Sequence, residues 1–181
     1  SRAKGSATFP ANFMLVAAMN PCPCGFRNDP HRSCQCFLPL VERYLAKISG
    51  PMLDRIDIQI EIPAVPFKEL SATADGTSSR QMVSDVKRAR KKQAARFENL
   101  VFRCNSQLPG PQIRQLCHLT TDARATLGQS INELGFSART HDKILRVSQT
   151  IADIDDAEKI DTHHIHEAVN YRLLDRRYWN R

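Results

Sequence analysis

Four cysteines close together in the sequence, Cys22, Cys24, Cys34 and Cys36, most constrain how this chain can fold. Two Cys-x-Cys pairs separated by nine residues can supply four thiolates to a tetrahedral zinc ion. Paired cysteines of structural zinc sites are more often two residues apart, so free thiols and disulfides remain open alternatives. His31, inside the loop, is an alternative ligand.

Predicted strands lie on both sides of this cysteine loop. Residues 13–18 form an unbroken apolar run, typical of a central strand buried on both faces, which Asn20-Pro21 ends. Residues 56–62 alternate apolar and polar side chains, as in a half-buried strand. Apolar residues at helical spacing predict a short helix over 38–48. We therefore predict an α/β arrangement of two or so strands with short helices over 1–66.

The second half of the chain is predicted to be helical. A polar segment within residues 67–79 is a predicted linker, and 80–181 is a predicted all-α domain. Its helices are expected over 80–97, over 113–118, from a cap at Thr121 or Asp122 to Leu134, from Ser137 through a stripe of Ile144, Val147, Ile151 and Ile154, and after Asp161 or Thr162.

Charge and cysteine content narrow the partners and the compartment. Residues 80–103 contain eight basic and two acidic residues, which favours an anionic partner such as nucleic acid, although a solvated basic face has the same composition. No apolar run approaches the roughly 20 residues of a membrane-spanning helix. Six cysteines without a leader pattern predict a reducing, cytoplasmic location, and the abrupt start suggests a piece of a longer chain. The candidate nucleic-acid contacts are Lys87, Arg88, Lys91 and Lys92.

Two polar residues stand where nucleotide chemistry could use them. Asn20 follows the predicted central strand, at the edge where open α/β sheets bind ligands, although Asn before proline is also typical of a turn. Arg55 precedes the second predicted strand and lies between Asp54 and Asp57. A projecting arginine can reach a phosphate of a neighbouring molecule, or it can pair with one of these aspartates.

Arg139 is a third candidate for a phosphate contact. If Ser137 caps a helix, Arg139 lies in the first turn, where the helix dipole disfavours a cation. We therefore expect an anion beside it.

Several longer sequence motifs closely resemble those of one family. The chain resembles the carboxyl-terminal part of the magnesium-chelatase-like AAA+ ATPases of the ComM (YifB) group over about residues 1–177. The words that carry the resemblance are Phe9-Pro10-Ala11-x-Phe13, Ala17-Ala18-Met19-Asn20-Pro21-Cys22-Pro23-Cys24-Gly25, Ser49-Gly50-Pro51-Met52-Leu53-Asp54-Arg55-Ile56-Asp57, Ser137-Ala138-Arg139 and Thr150-Ile151-Ala152-Asp153.

The resemblance implies a role for each nucleotide candidate. Asn20 matches sensor 1, which positions the attacking water; Arg55 matches the arginine finger, which enters the ATP site of the adjacent subunit; and Arg139 matches the sensor 2 arginine of the helical lid. The family further implies ATP and Mg²⁺ as cofactors, a ring of identical subunits that is expected to be a hexamer, and branch migration of DNA during natural transformation.

The family's phosphate loop has no counterpart in these residues. No G-x-x-x-x-G-K-[ST] word occurs in the 181 residues, so we expect this chain alone neither to hydrolyse ATP nor to bind it tightly. The alternative is a stand-alone, zinc-stapled basic module that binds nucleic acid through residues 80–103.

Overall fold

The computed structural model describes residues 6–11, 13–63, 65 and 76–173. The chain divides into two compact units, residues 1–47 and 48–181. None of the described helices has the length and apolar character needed to cross a membrane. The described helices are α1 (Leu38–Leu45), α2 (Gly50–Leu53), α3 (Ser79–Arg96), a 3₁₀ turn (Asn105–Gln107), α4 (Gly110–Leu116), α5 (Thr121–Leu134), α6 (Ala138–Ile154) and α7 (Thr162–Asn170).

The two predicted strands are not formed in the described part of the chain. Residues 13–18 and 56–62 belong to no strand, and the described residues contain one isolated bridge, between Leu119 and Ile160. A strand requires a ladder of hydrogen bonds to a neighbouring strand, and among the described residues neither run forms such a ladder; one backbone bond, from the Gln59 amide to the Tyr171 carbonyl, does not make one. Phe13 is 75% exposed and Ile60 is 61% exposed, so the expected burial is also absent. The described residues from 79 to 173 are mostly helical, consistent with the predicted all-α domain, and the described residues do not show the α/β part.

The predicted linker over 67–79 lies mostly outside the described residues, which resume at residue 76. Helix α3 follows directly, and the Ser78 hydroxyl caps it by accepting a hydrogen bond from the Gln81 amide at 3.2 Å. The turn over 48–57 belongs to the same compact unit as helices α2 to α7. The domain boundary between 66 and 79 stays a prediction.

Local capping signals set the helix ends. Ser137 caps α6 as predicted, because its hydroxyl accepts from the Thr140 amide at 3.2 Å. The cap of α5 is Thr120 rather than the predicted Thr121 or Asp122, and Gly135 ends that helix at a φ of 59°. The left-handed conformation of Gly135 is accessible to glycine without steric cost. Asp161 caps α7, as one of the two predicted alternatives.

Helix α6 is the central element of the helical unit, and it packs against α3, α4 and α7. Ile144 and Ile151 of its predicted apolar stripe are buried, and Val147 packs against the core at partial exposure. Ile154, the last residue of the stripe, is 37% exposed because it lies at the end of the helix. The core therefore consists of one amphipathic helix covered by its neighbours.

A buried polar network joins α3 to α6. Asp153 has no exposed surface, and its carboxylate accepts hydrogen bonds from both terminal nitrogens of Arg96. The Asn105 amide donates to the same carboxylate at 2.8 Å, and the Gln149 amide donates at 3.2 Å. Such a charge is tolerated in a protein interior only when it is paired and hydrogen-bonded.

We expect Arg96→Met to lower the free energy of unfolding by about 3–5 kcal/mol, because it leaves the Asp153 charge buried without its cation. Urea denaturation followed by far-ultraviolet circular dichroism measures this loss. Arg96→Met/Asp153→Asn should recover part of it, since no charge then remains to be desolvated. Arg124→Met, at an exposed position, is the control and should change stability by no more than about 0.5 kcal/mol. Equal stability of the Arg96→Met variant and the wild type would contradict this account.

Candidate functional site

The four predicted cysteine ligands come together in the unit 1–47. All four sulfur atoms lie within 4.8 Å of one another, and Cys22 is buried. The sulfur of Cys22 lies 3.4 Å from that of Cys24 and 3.7 Å from that of Cys34, and the last two sulfurs are 3.6 Å apart. Zn–S bonds of about 2.3 Å at tetrahedral angles place sulfurs about 3.8 Å apart. The thiols are free, and the arrangement is compatible with a zinc ion.

A tight turn and an ordered loop bring the two cysteine pairs together. The Gly25 amide donates to the Cys22 carbonyl at 3.0 Å, and Gly25 has a φ of 81°, which favours glycine. The Asp29 carboxylate accepts from the amides of His31 and Arg32 at 2.7 and 3.0 Å. His31 is exposed and is not a member of the cluster, so the four cysteines supply the ligand set without it.

The thiols of the cluster differ in acidity. A hydrogen bond from the Phe26 backbone lowers the pKa of Cys24 to about 6, despite the opposing effect of partial burial. Burial raises the pKa of Cys36 to about 12; a hydrogen bond from the Cys24 backbone opposes this shift, whereas the Cys24 side chain adds to it. One thiolate at this site therefore opposes ionisation of its neighbours, and a bound cation would relieve that repulsion.

Asn20 lies at the edge of the cysteine turn. It is exposed, and a Cβ atom on Gly25 would stand 3.7 Å from the Asn20 side-chain nitrogen. Its unit, 1–47, holds the cysteine cluster, whereas Arg55 and Arg139 belong to the unit 48–181.

Arg55 follows the short helix α2 and is exposed. Its guanidinium donates to the Pro51 carbonyl at 2.6 Å, and within the described residues it forms no ion pair. The adjacent aspartates are engaged elsewhere: Asp54 pairs with Arg139 at 3.1 Å, and Asp57 pairs with Lys143 at 2.9 Å. The local ion pair that the sequence left open is therefore not formed among the described residues.

Arg139, in the first turn of α6, has an anion beside it, but that anion is a carboxylate of the same chain and the phosphate contact stays a prediction. That anion is the carboxylate of Asp54, which also accepts a hydrogen bond from the Thr140 hydroxyl at 3.5 Å. The Arg139 side chain is 64% exposed. Exposed ion pairs contribute only about 0.2–1 kcal/mol, so another anion can compete for this guanidinium.

Two buried cations that lie beside Arg55 were not predicted from the sequence. Lys143 is 7% exposed, and its amino group donates to the Arg55 carbonyl at 2.7 Å. Arg172 is 1% exposed, and its guanidinium donates to the Ile56 carbonyl. One signal was available, because Lys143 stands beside Ile144 on the buried side of a predicted helix, and a buried lysine normally has a partner.

The four candidate nucleic-acid residues of α3 divide into two kinds. Arg88 donates to the Ile154 carbonyl at 2.8 Å, and Lys92 donates to the Ala157 carbonyl at 3.1 Å. Arg88 therefore satisfies the last carbonyl of α6, where the helix dipole favours positive charge. Lys92 satisfies a carbonyl three residues beyond that helix and also pairs with the Asp156 carboxylate at 2.7 Å. Lys87 and Lys91 are exposed one helical turn apart, and neither makes a hydrogen bond or ion pair within the described residues.

His163, His164 and Asp155 form a second group of close metal-binding side chains. The Asp161 amide donates to Nδ1 of His164 at 2.8 Å, so that nitrogen carries the lone pair and the neutral ring is protonated at Nε2. Nε2 lies 3.3 Å from the Asp155 carboxylate. A protonated nitrogen cannot coordinate a metal, and we interpret His164 as part of the α7 capping box.

The matches to known protein families and relatives cover nearly the whole chain. Residues 76–172 match the family described as magnesium chelatase, subunit ChlI C-terminal, and residues 1–70 match magnesium chelatase, subunit ChlI. The Escherichia coli (strain K12) protein YifB is 42% identical over 177 residues, which are 97% of this chain and 34% of the relative. Competence protein ComM of Haemophilus influenzae is 38% identical over 175 residues, 96% of this chain and 33% of the relative.

The chain belongs to the magnesium chelatase subunit ChlI family, and it corresponds to a carboxyl-terminal portion of the YifB and ComM type. It spans about a third of the length of these curated relatives.

Proposed function

We propose that this chain is the carboxyl-terminal portion of an AAA+ ATPase that works as a ring of identical subunits, six by family resemblance, on DNA. In this proposal Asn20 orients the attacking water in the subunit's own ATP site, and Arg139 contacts the phosphates of that ATP. Arg55 enters the site of the adjacent subunit and stabilises charge that develops on the transferred phosphoryl group. Mg²⁺ and the phosphate loop belong to the remainder of the full-length protein.

The observation that carries the proposal is the pairing around Arg55. A finger arginine must be exposed and must not be held by a nearby carboxylate. Asp54 and Asp57 flank it in the sequence, yet they pair with Arg139 and Lys143. Within the described residues the Arg55 guanidinium therefore bonds to one backbone carbonyl alone. A phosphate can displace that carbonyl, because a charge-assisted hydrogen bond is stronger than a neutral one.

The exposed apolar runs are consistent with a missing sheet. Residues 13–18 and 56–62 carry the apolar patterns of strands, and contiguous exposed apolar surface usually marks a contact with another segment. We propose that both runs are strands of the α/β core in the full-length protein. This chain covers 34% of the YifB relative, so a full-length protein of this type has further chain that could supply the partner strands.

We further propose that the cysteine cluster holds one structural zinc ion through Cys22, Cys24, Cys34 and Cys36. The geometry supports four thiolate ligands and leaves no open position for substrate, as in a closed structural site. The ion would fix the loop that follows Asn20.

The DNA contact is proposed for the exposed face of α3, through Lys87 and Lys91. Both ammonium groups are available for phosphates, whereas Arg88 and Lys92 are engaged with α6. A stand-alone nucleic-acid module would use the same face, but similarity over nearly the whole chain to a third of longer relatives favours the ATPase portion.

We expect Arg55→Ala in the full-length protein to lower kcat for ATP about a thousandfold, because the finger acts in the transition state. The KM for ATP should change little, since the finger stabilises the transition state rather than bound ATP. Steady-state phosphate release measures both constants, with Arg124→Met as the control. Mixing Arg55→Ala subunits into wild-type rings should reduce activity, because their neighbours lose the finger. An Arg55→Ala enzyme with wild-type kcat would overturn the role.

Protein purified without chelator should contain about one zinc per chain by elemental analysis. Cys22→Ser should lose most of this metal, because it removes the buried ligand. The matched control is Cys104→Ser, a cysteine outside the cluster, which should keep the metal. No zinc in the wild type, with all four thiols titratable in the folded state, would exclude the site.

Lys87→Ala/Lys91→Ala should weaken duplex DNA binding by this chain and should reduce the slope of log affinity against log salt by about 2, one phosphate contact per lysine. Fluorescence anisotropy at several salt concentrations measures the slope. Thermal stability should be unchanged. Arg88→Ala/Lys92→Ala is the matched pair, and it should instead lower stability by about 1–2 kcal/mol through lost contacts at the end of α6. Unchanged affinity and slope in the first variant would contradict the proposed surface.

A further inference from the structure

Lys143 makes an unusual set of contacts for a lysine. It is 7% exposed on α6, and its amino group lies 2.7 Å from the Arg55 carbonyl oxygen and 2.9 Å from the Asp57 carboxylate. Lysine loses both hydration and rotamer freedom when it is buried. Asp57 is 61% exposed, so this ion pair alone does not explain why the cation is buried here.

The second acceptor explains the position better, because it belongs to the backbone of Arg55 itself. A hydrogen bond to this carbonyl fixes the peptide plane between Arg55 and Ile56. Arg172 donates to the next carbonyl, that of Ile56, from just after α7. Two buried cations from different parts of the helical unit therefore hold two consecutive carbonyls, and the Gln59 amide adds a hydrogen bond to the Tyr171 carbonyl at 3.0 Å.

The other side of the turn is tied to the same helix. Asp54 receives Arg139 and Thr140 from the first turn of α6, and Lys143 follows Arg139 by four residues. Arg55 is thus bracketed by contacts from one helix, at Asp54 before it and at its own carbonyl and Asp57 after it. The Arg55 side chain remains exposed. These contacts therefore fix the backbone from which the side chain projects, while the guanidinium itself bonds only to the Pro51 carbonyl among the described residues.

We propose that Lys143 is a positioning residue for Arg55: its ammonium holds the Arg55 backbone against α6 so that the guanidinium projects at a fixed place. This inference rests on the proposed role of Arg55 in the neighbouring ATP site. Lys143 touches neither ATP nor the reacting atoms, and it acts through Arg55 alone. Its loss should therefore affect the chemical step and not the binding of ATP in its own subunit.

The test is a double-mutant cycle in the full-length protein, with kcat and KM for ATP measured for wild type, Arg55→Ala, Lys143→Met and the double variant. Lys143→Met should lower kcat about ten- to a hundredfold, the cost of a displaced catalytic group, with KM for ATP changed by less than about threefold. The double variant should have the kcat of Arg55→Ala, because a positioning residue has nothing left to position. Lys143→Arg should restore most of kcat, since it keeps a cationic donor.

The cycle separates this inference from the proposed function. Wild-type kcat in Arg55→Ala would overturn the finger role and the positioning role with it. A large loss in Arg55→Ala combined with no loss in Lys143→Met would overturn the positioning role alone. So would a double variant whose loss is the product of the two single losses, which is the behaviour of a residue that only stabilises the fold. If Lys143→Met does not fold by circular dichroism, Lys143→Gln, whose shorter amide does not reach both acceptors, takes its place in the same cycle.

Discussion

A carboxylate with no exposed surface lies where α3 meets α6, and the helical unit depends on how that charge is compensated. Asp153 is held by Arg96, Asn105 and Gln149, so that one anion connects α3, the 3₁₀ turn and α6. Removal of any one of these partners leaves the buried Asp153 carboxylate with fewer hydrogen bonds, and water cannot replace the lost one. The apolar core around Ile144 and Ile165 supplies most of the burial, whereas this network determines which faces of α3 and α6 meet.

Charge is used differently at the two ends of α6. At its carboxyl end, Arg88 of α3 donates to the carbonyl of Ile154, the last residue of the helix, and Lys92 donates to the Ala157 carbonyl just beyond it. At its amino end, Arg139 opposes the dipole and is stabilised by Asp54. The first arrangement is favourable without any ligand. The second is an exposed, exchangeable ion pair, and this difference is why the amino end is the better candidate for a nucleotide contact.

The helices could be predicted from the sequence because their signals are local. The pairing of strands and the ion pairs around Arg55 could not, because their partners lie far away in the sequence. Ser137 and Asp161 cap helices through bonds to residues within three positions, so the sequence contains all that is needed to find them. The strand patterns at 13–18 and 56–62 identify apolar runs correctly, but a strand also needs a partner segment. The aspartates beside Arg55 were natural partners by proximity, yet Arg139 lies 85 residues from Asp54. The four cysteines were recognised from their spacing, while the closeness of their sulfur atoms depends on a turn at Gly25 and a loop ordered by Asp29.

The short distance along α6 between Arg139 and Lys143 has a further consequence for a ring. Under the proposed roles, Arg139 contacts the ATP of its own subunit. Lys143, on the same helix, positions Arg55, which acts in the ATP site of the adjacent subunit. A tilt of α6 when its own phosphates are released would move Arg55 in the neighbouring site at the same time. If each subunit presents Arg55 to one neighbour only, as proposed, such a signal would have a direction, and the order of hydrolysis around the ring would follow from the handedness of assembly.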